Sequence, residues 1–232
     1  MANSESFSIE SWLKEMMQNV QCAFGHRILF FGLQSSYRRG EATEKSDIDL
    51  VLILDRCSLD DLTVYRKILD HMPQREKACG FVSGRNELIG WPSADLFQFY
   101  HDTKPLIGRL EELIPVPGKE SAIQAVRMGA ANLYHAACHS YLHAVSPRRA
   151  LADCYKNAFF VLQAWYWIQS NEYIQTKTAL LERLTGEERA VLSACLDREQ
   201  FDLLDSEKID SLYQLLIGWC AKLLQPLPYG TI

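Results

Sequence analysis

Two aspartates one residue apart, Asp47 and Asp49, open an apolar run that continues to Leu54. In an extended strand, residues i and i+2 point to one face, so both carboxylates project together. Carboxylates held that close repel unless a cation or a proton lies between them. Magnesium suits such a pair, because it takes hard oxygen ligands and is usually bound by one or two carboxylates plus substrate phosphates. Upstream the chain reads Phe31-Gly32-Leu33-Gln34-Ser35-Ser36-Tyr37-Arg38-Arg39-Gly40-Glu41-Ala42. A strand ending at Gly32, then a Ser-rich turn that opens a helix, offers backbone N–H groups and hydroxyls to a phosphate, with Ser36 as the hydroxyl contact. Arg38 and Arg39 carry guanidinium groups that match phosphate oxygens, the alternative being two surface residues of an exposed turn. Phosphate cradle and metal pair together are the equipment for in-line displacement at phosphorus, in which cations neutralise a triphosphate and steady the departing pyrophosphate.

These residues need strands to present them. The run 27–31, stopped by Gly32, reads as a buried strand, and residues 47–54 read as a second one rich in branched side chains. Ahead of them Ile9, Trp12, Leu13, Met16, Met17 and Val20 recur at helical spacing. Residues 58–71 predict a helix with Ser58 as N-cap and Asp60 and Asp61 in its first turn. Residues 79–84 and the aromatic-rich 95–100 are further strand candidates. Pro115-Val116-Pro117-Gly118 is the clearest linker. After it, segments 121–145, 148–170, 176–196 and 205–225 all show helical periodicity, which predicts a four-helix arrangement. An α/β front and an all-α back divide the chain into 1–117 and 118–232.

With those residues in view, the stretch 28–55 resembles the nucleotidyltransferase domain of the polymerase-β superfamily, in the branch of minimal and aminoglycoside nucleotidyltransferases. Members show hydrophobic–Gly–x–x–Gly–Ser, often Arg-Gly-Glu-Ala, then Ser-Asp-hydrophobic-Asp; here Ser46-Asp47-Ile48-Asp49 supplies the last element. The resemblance implies an α+β domain, a mixed sheet with flanking helices, followed by a helical bundle. It implies a two-metal Mg²⁺ site on Asp47 and Asp49 and a triphosphate held by Gly32, Ser35, Ser36 and Arg39, with Lys104 a weaker candidate. The transferred group would be a nucleoside monophosphate, AMP from ATP, passing to a hydroxyl of a small acceptor such as an aminoglycoside. A protein acceptor, as in antitoxin-like minimal transferases, and a non-catalytic nucleotide-binding module are the alternatives. Ser35 stands where the family usually has glycine, which permits positive φ and a close approach of the backbone to the triphosphate. The family's third carboxylate lies on a neighbouring strand and serves as metal ligand or general base. Asp95 is favoured for it here, ahead of Asp102 and Glu87.

The helical half resembles the domain that accompanies such transferases, as in kanamycin nucleotidyltransferase, and the wider HEPN family, where the bundle helps to bind the acceptor or to dimerise. The resemblance therefore permits a homodimer. Arg127 and His135 stand too far apart for the Arg–His spacing of HEPN ribonucleases, so that activity is set aside. His135, His139 and His143 fall at i, i+4 and i+8, a spacing that stacks imidazoles on one helical face, either around a metal or as a polar stripe. Trp165, Tyr166 and Trp167 read as bundle core or domain interface rather than a substrate platform.

Composition agrees with this reading. An apolar content of 48% and a charged content of 23% are those of an ordinary globular chain. The net charge of −5, with no Lys/Arg-dense stripe, argues against a nucleic-acid partner and suits a small or cationic one. Seven cysteines without a CxxC pair point to reduced thiols and a cytoplasmic location. Neither a secretory leader nor a membrane span is expected.

Overall fold

The computed structural model of the chain describes residues 7–225; the stretch 1–6, read above for a leader, and residues 226–232 of the expected bundle lie outside the described residues. The chain forms two compact units. One extends to Trp91 and resumes over Asp102–Val116; the other comprises Pro92–His101 and the chain from Pro117 onward.

The first unit runs α1 (Ile9–Phe24), β1 (Ile28–Leu33), α2 (Ser35–Arg39), β2 (Ile48–Leu54), α3 (Leu59–His71), β3 (Ala78–Gly84), α4 (Arg85–Ile89) and β4 (Lys104–Ile107). Its sheet has the order β3-β2-β1-β4 and is mixed. β1 is antiparallel to β2 and β4, while β2 and β3 are parallel. A parallel pair needs a crossover, and α3 supplies it. β2 is buried through most of its length: Ile48, Leu50, Val51, Leu52, Ile53 and Leu54 are at most 1% exposed. Each such side chain contributes about 1.5–3 kcal/mol by leaving water. Ile48, Leu50, Leu52 and Leu54 share one core with Trp12, Met16 and Val20 of α1 and Tyr65 of α3. Strand alternation therefore turns Asp49 to the opposite face, and Asp47, just ahead of the strand, goes with it.

α3 begins as its sequence predicts. The Ser58 hydroxyl accepts from the Asp61 N–H, and the Asp61 carboxylate accepts from the Ser58 N–H, a complete capping box. Asp61 also accepts from the Arg27 guanidinium at 2.6 and 3.1 Å, tying the start of β1 to the start of α3. Arg27 and the Ser58 hydrogen bonds hold the Asp61 carboxyl far below the usual carboxylate range.

The second unit contains α5 (Ser93–His101), α6 (Lys119–His143), α7 (Pro147–Ser170), α8 (Lys177–Arg183), α9 (Gly186–Asp197) and α10 (Ser206–Leu224). Residues 95–100 are thus helical and form no strand. The N–H groups of Asp95 and Leu96 both donate to the Pro92 carbonyl, which starts the helix. Its apolar side follows a three-and-four rhythm through Ala94, Phe97 and His101. Phe97 packs edge-on to Trp167 of α7 at 5.2 Å, and the His101 ring stacks on Tyr173 at 4.5 Å. The bulky aromatics that suggested a sheet are core contacts of a helix. The segment expected as one helix over 176–196 is interrupted at Leu184 and Thr185, whose backbones are extended, giving α8 and α9. Two of its buried polar side chains find backbone partners: Gln163 Nε2 donates to the Ile174 carbonyl at 2.8 Å, and the Tyr155 hydroxyl to that of Leu212. Among the described residues no helix is long and apolar enough to cross a membrane.

Candidate active site

Asp47 is exposed and Asp49 half-buried at the N-terminal end of β2, on the face turned away from α1 and α3. The pairing of β1 with β2 ends at Leu33 and Leu50, and one further bond, from the Gln34 N–H to the Asp49 carbonyl at 2.8 Å, carries the ladder on to Asp49. The Ser35–Ser36 turn is therefore fastened directly beside Asp49. The Gln34 side chain donates to the Thr103 hydroxyl at 2.6 Å, fixing the same turn to the residue before β4.

Ser35 has φ 59°, the left-handed region. That region costs an L-residue about 1–2 kcal/mol, which is why glycine is the usual occupant. Its N–H donates to Asp102 Oδ2 at 3.2 Å. Arg39 Nη1 lies 2.8 and 2.7 Å from the two oxygens of the same carboxylate, and Arg39 Nε donates to Glu41 at 3.1 Å. The Arg39 and Asp102 side chains are 5% and 6% exposed. Burial works against the Arg39 charge, but Asp102 and Glu41 outweigh it and hold the guanidinium protonated. The arginine expected to grip phosphate is thus engaged by two acids within the fold. Its neighbour Arg38 has a buried Nε with no hydrogen-bond partner among the described residues.

Gly32 is explained by packing. It pairs with Val51 on one side and Pro105 on the other, and a Cβ there would come within 2.7 Å of the Phe30 ring, 2.8 Å of Thr103 Cγ2 and 2.9 Å of the Lys104 carbonyl. Lys104 itself is exposed at the start of β4.

The neighbouring strands carry no further carboxylate: β1 reads ILFFGL, β3 ACGFVSG and β4 KPLI. In register with Asp49 on β3 stands Cys79. None of the three acids considered from sequence lies on these strands. Asp95 is exposed in the first turn of α5, in the second unit. Asp102 is buried under Arg39. Glu87 lies on α4 beyond Gly84, whose partner is Leu54, so it belongs to the far end of β2. Among the described residues no group of three or more His, Cys, Asp or Glu side chains is placed to hold a metal, the histidines of α6 included. His135, His139 and His143 form an exposed stack with ring centroids 5.9 and 5.1 Å apart. Magnesium still fits the Asp47–Asp49 donor set, since that ion accepts two carboxylates when substrate phosphates and water complete its shell.

The contact of Asp102 with Arg39 is hidden in the sequence, because the two stand 63 positions apart. The Arg-Gly-Glu run was the available signal, since it sets a cation and an acid around a turn at Gly40, whose φ is 71°.

Residues 10–88 match the model of the nucleotidyltransferase domain family, a span from α1 into α4 that includes the cradle and both aspartates. That segment therefore carries a nucleotidyltransferase domain, and the mixed sheet β3-β2-β1-β4 lies largely within it. Among solved structures it is similar to the spectinomycin adenyltransferase AAD(9) from Enterococcus faecialis with ATP and spectinomycin. The identity is 11%, the match covers 94% of this chain and 100% of that one, and the TM-score is 0.58, a likeness of fold. No curated protein matches the sequence.

Proposed function

We propose that the chain transfers AMP from ATP to a hydroxyl group of a small cationic acceptor of the aminoglycoside type. The observation that carries this reading is the bond from Gln34 to Asp49, which sets the serine turn beside two outward-facing carboxylates on one strand. Asp47 and Asp49 hold Mg²⁺ together with the triphosphate. When bound, the cation neutralises the phosphates and favours departure of pyrophosphate. Ser35 and Ser36 orient the phosphate chain through their hydroxyls and the Ser36 N–H, and Arg38 is the guanidinium left for a phosphate oxygen. Asp95 is the acid proposed to take the acceptor proton, given that β1, β3 and β4 offer none. The adenyltransferase of similar fold was solved with ATP and spectinomycin, which supports the choice of nucleotide and acceptor class, and the net charge of −5 suits a cation.

The test is calorimetric titration of ATP, with and without Mg²⁺, into the wild type and into Asp47→Asn/Asp49→Asn, followed by a screen of aminoglycosides and spectinomycin with labelled ATP. Metal-dependent binding that the double variant loses, together with a labelled acceptor, supports the proposal. Activity retained in Asp49→Asn removes it. In Asp95→Asn, a fall in kcat at unchanged ATP affinity supports the proton-acceptor role, and an unchanged kcat ends it.

A second reading rests on Cys79. With a thiol in register with Asp49 and no carboxylate on β1, β3 or β4, the domain would bind nucleotide without transferring it. Tight ATP·Mg²⁺ binding with no label passed to any acceptor, small molecule or protein, is the result that favours this reading.

A further inference from the structure

A single carboxylate grips both ends of α2. Asp102 accepts the N–H of Ser35, the first residue of the helix, and pairs through both oxygens with Arg39, the last. Glu41 holds the other side of Arg39, and Thr103, next to Asp102, takes the Gln34 side chain. These contacts close around the one residue of the cradle with a strained backbone, Ser35 at φ 59°. Released from them, a serine relaxes toward negative φ, which turns its peptide plane and swings the N–H and hydroxyl of Ser36 away. A glycine would need no such restraint.

We infer that Asp102 is a positioning residue for nucleotide binding: by bridging Ser35 and Arg39 it holds Ser35 in the left-handed region and so aims the Ser36 end of the turn at the triphosphate. The inference rests on the proposed function and deepens it, since it explains how a cradle with Ser35 in the glycine position keeps its shape. Asp102 touches no reacting atom. It acts through Ser35.

The experiment has two readouts on the full chain. The first is hydrogen exchange at the Ser35 amide without nucleotide, and the second is titration with ATP and Mg²⁺. Asp102→Asn is expected to speed exchange at Ser35 and to weaken ATP binding roughly tenfold or more. Ser35→Gly/Asp102→Asn is expected to recover most of that loss, because glycine adopts the conformation unaided. An ion pair that only stabilises the fold would lower the melting temperature of Asp102→Asn without a change in ATP affinity that glycine repairs. Should Asp102→Asn fail to fold, Arg39→Lys loosens the same bridge while keeping the charge, and the same rescue by Ser35→Gly is expected. Wild type that binds no nucleotide overturns the proposed function and this inference with it. Wild type that binds, with Asp102→Asn or Arg39→Lys binding as tightly or with no rescue by glycine, overturns the inference alone.

Discussion

Asp49 and Cys79 stand side by side, in register across the parallel pair of β2 and β3. Residues paired in that way direct their side chains to the same face, so the thiol borders the carboxylate pair. Cys79 is exposed, and a change there should alter stability by no more than about 0.5 kcal/mol. Cys79→Asp adds a third hard oxygen donor beside Asp47 and Asp49, the two proposed to hold Mg²⁺. Affinity for such cations follows the charge and number of ligands, and the expected gain in Mg²⁺ affinity at saturating ATP is roughly tenfold. Calorimetry with Mg²⁺ as titrant checks it; equal affinities would mean that the β3 position lies outside the coordination shell.

Arg39 provides the second prediction. Its guanidinium is buried between Asp102 and Glu41, and Arg39→Ala removes the charge that the buried Asp102 carboxylate faces at 2.7 Å. Breaking a buried pair from one side costs about 3–5 kcal/mol. Urea unfolding should show a loss of that order, and a loss below about 1 kcal/mol would place the network in effective contact with water.

Gly32→Ala is the third. The new methyl meets the Phe30 ring, Thr103 and the Lys104 carbonyl, two of which belong to the segment entering the edge strand β4. Overpacking of this kind costs about 1–3 kcal/mol. Hydrogen exchange should show β4 amides opening before those of β2, whereas uniform loosening of the sheet would contradict the assignment of the clash.

His101 gives a pH dependence. Burial among Phe97, Trp167 and Tyr173 lowers its pKa from 6.5 to about 4. A base held below its ordinary value stays neutral in the fold, while the unfolded chain takes up the proton. Its contribution is therefore complete above about 6.5 and is lost as the pH falls toward 4. His101→Phe keeps an aromatic ring and removes the titration. Between pH 6.5 and 4 the variant should lose less melting temperature than the wild type, and parallel curves would exclude His101 as the cause.

The parts of the fold legible in the sequence were those whose signal is local. β2 announced itself through an unbroken run of branched side chains, and α3 through Ser58 and Asp61, which sit within one turn of each other. The aspartate pair needed only strand alternation. What escaped was set by distant partners. Residues 95–100 have a composition that suits either element, and the choice was made by Trp167 and Tyr173, far along the chain. β4 is four residues long and contains Pro105, which is tolerated at an edge but gives no strand signal. Arg39 looked like a phosphate ligand because Asp102, the acid that engages it, cannot be paired with it by spacing alone.

α5 also bears on the order in which the chain can be completed during synthesis. The segment Pro92–His101 belongs to the second unit although residues of the first unit follow it. Phe97 leaves the ribosome about 70 residues before Trp167, the ring it packs against, so its apolar side has to wait for α7. For the same reason a fragment cut at the linker 115–118 would carry α5 away from Trp167 and Tyr173, exposing Phe97 and inviting aggregation. The linker that looks like the natural place to separate the halves is one where the chain cannot be divided cleanly.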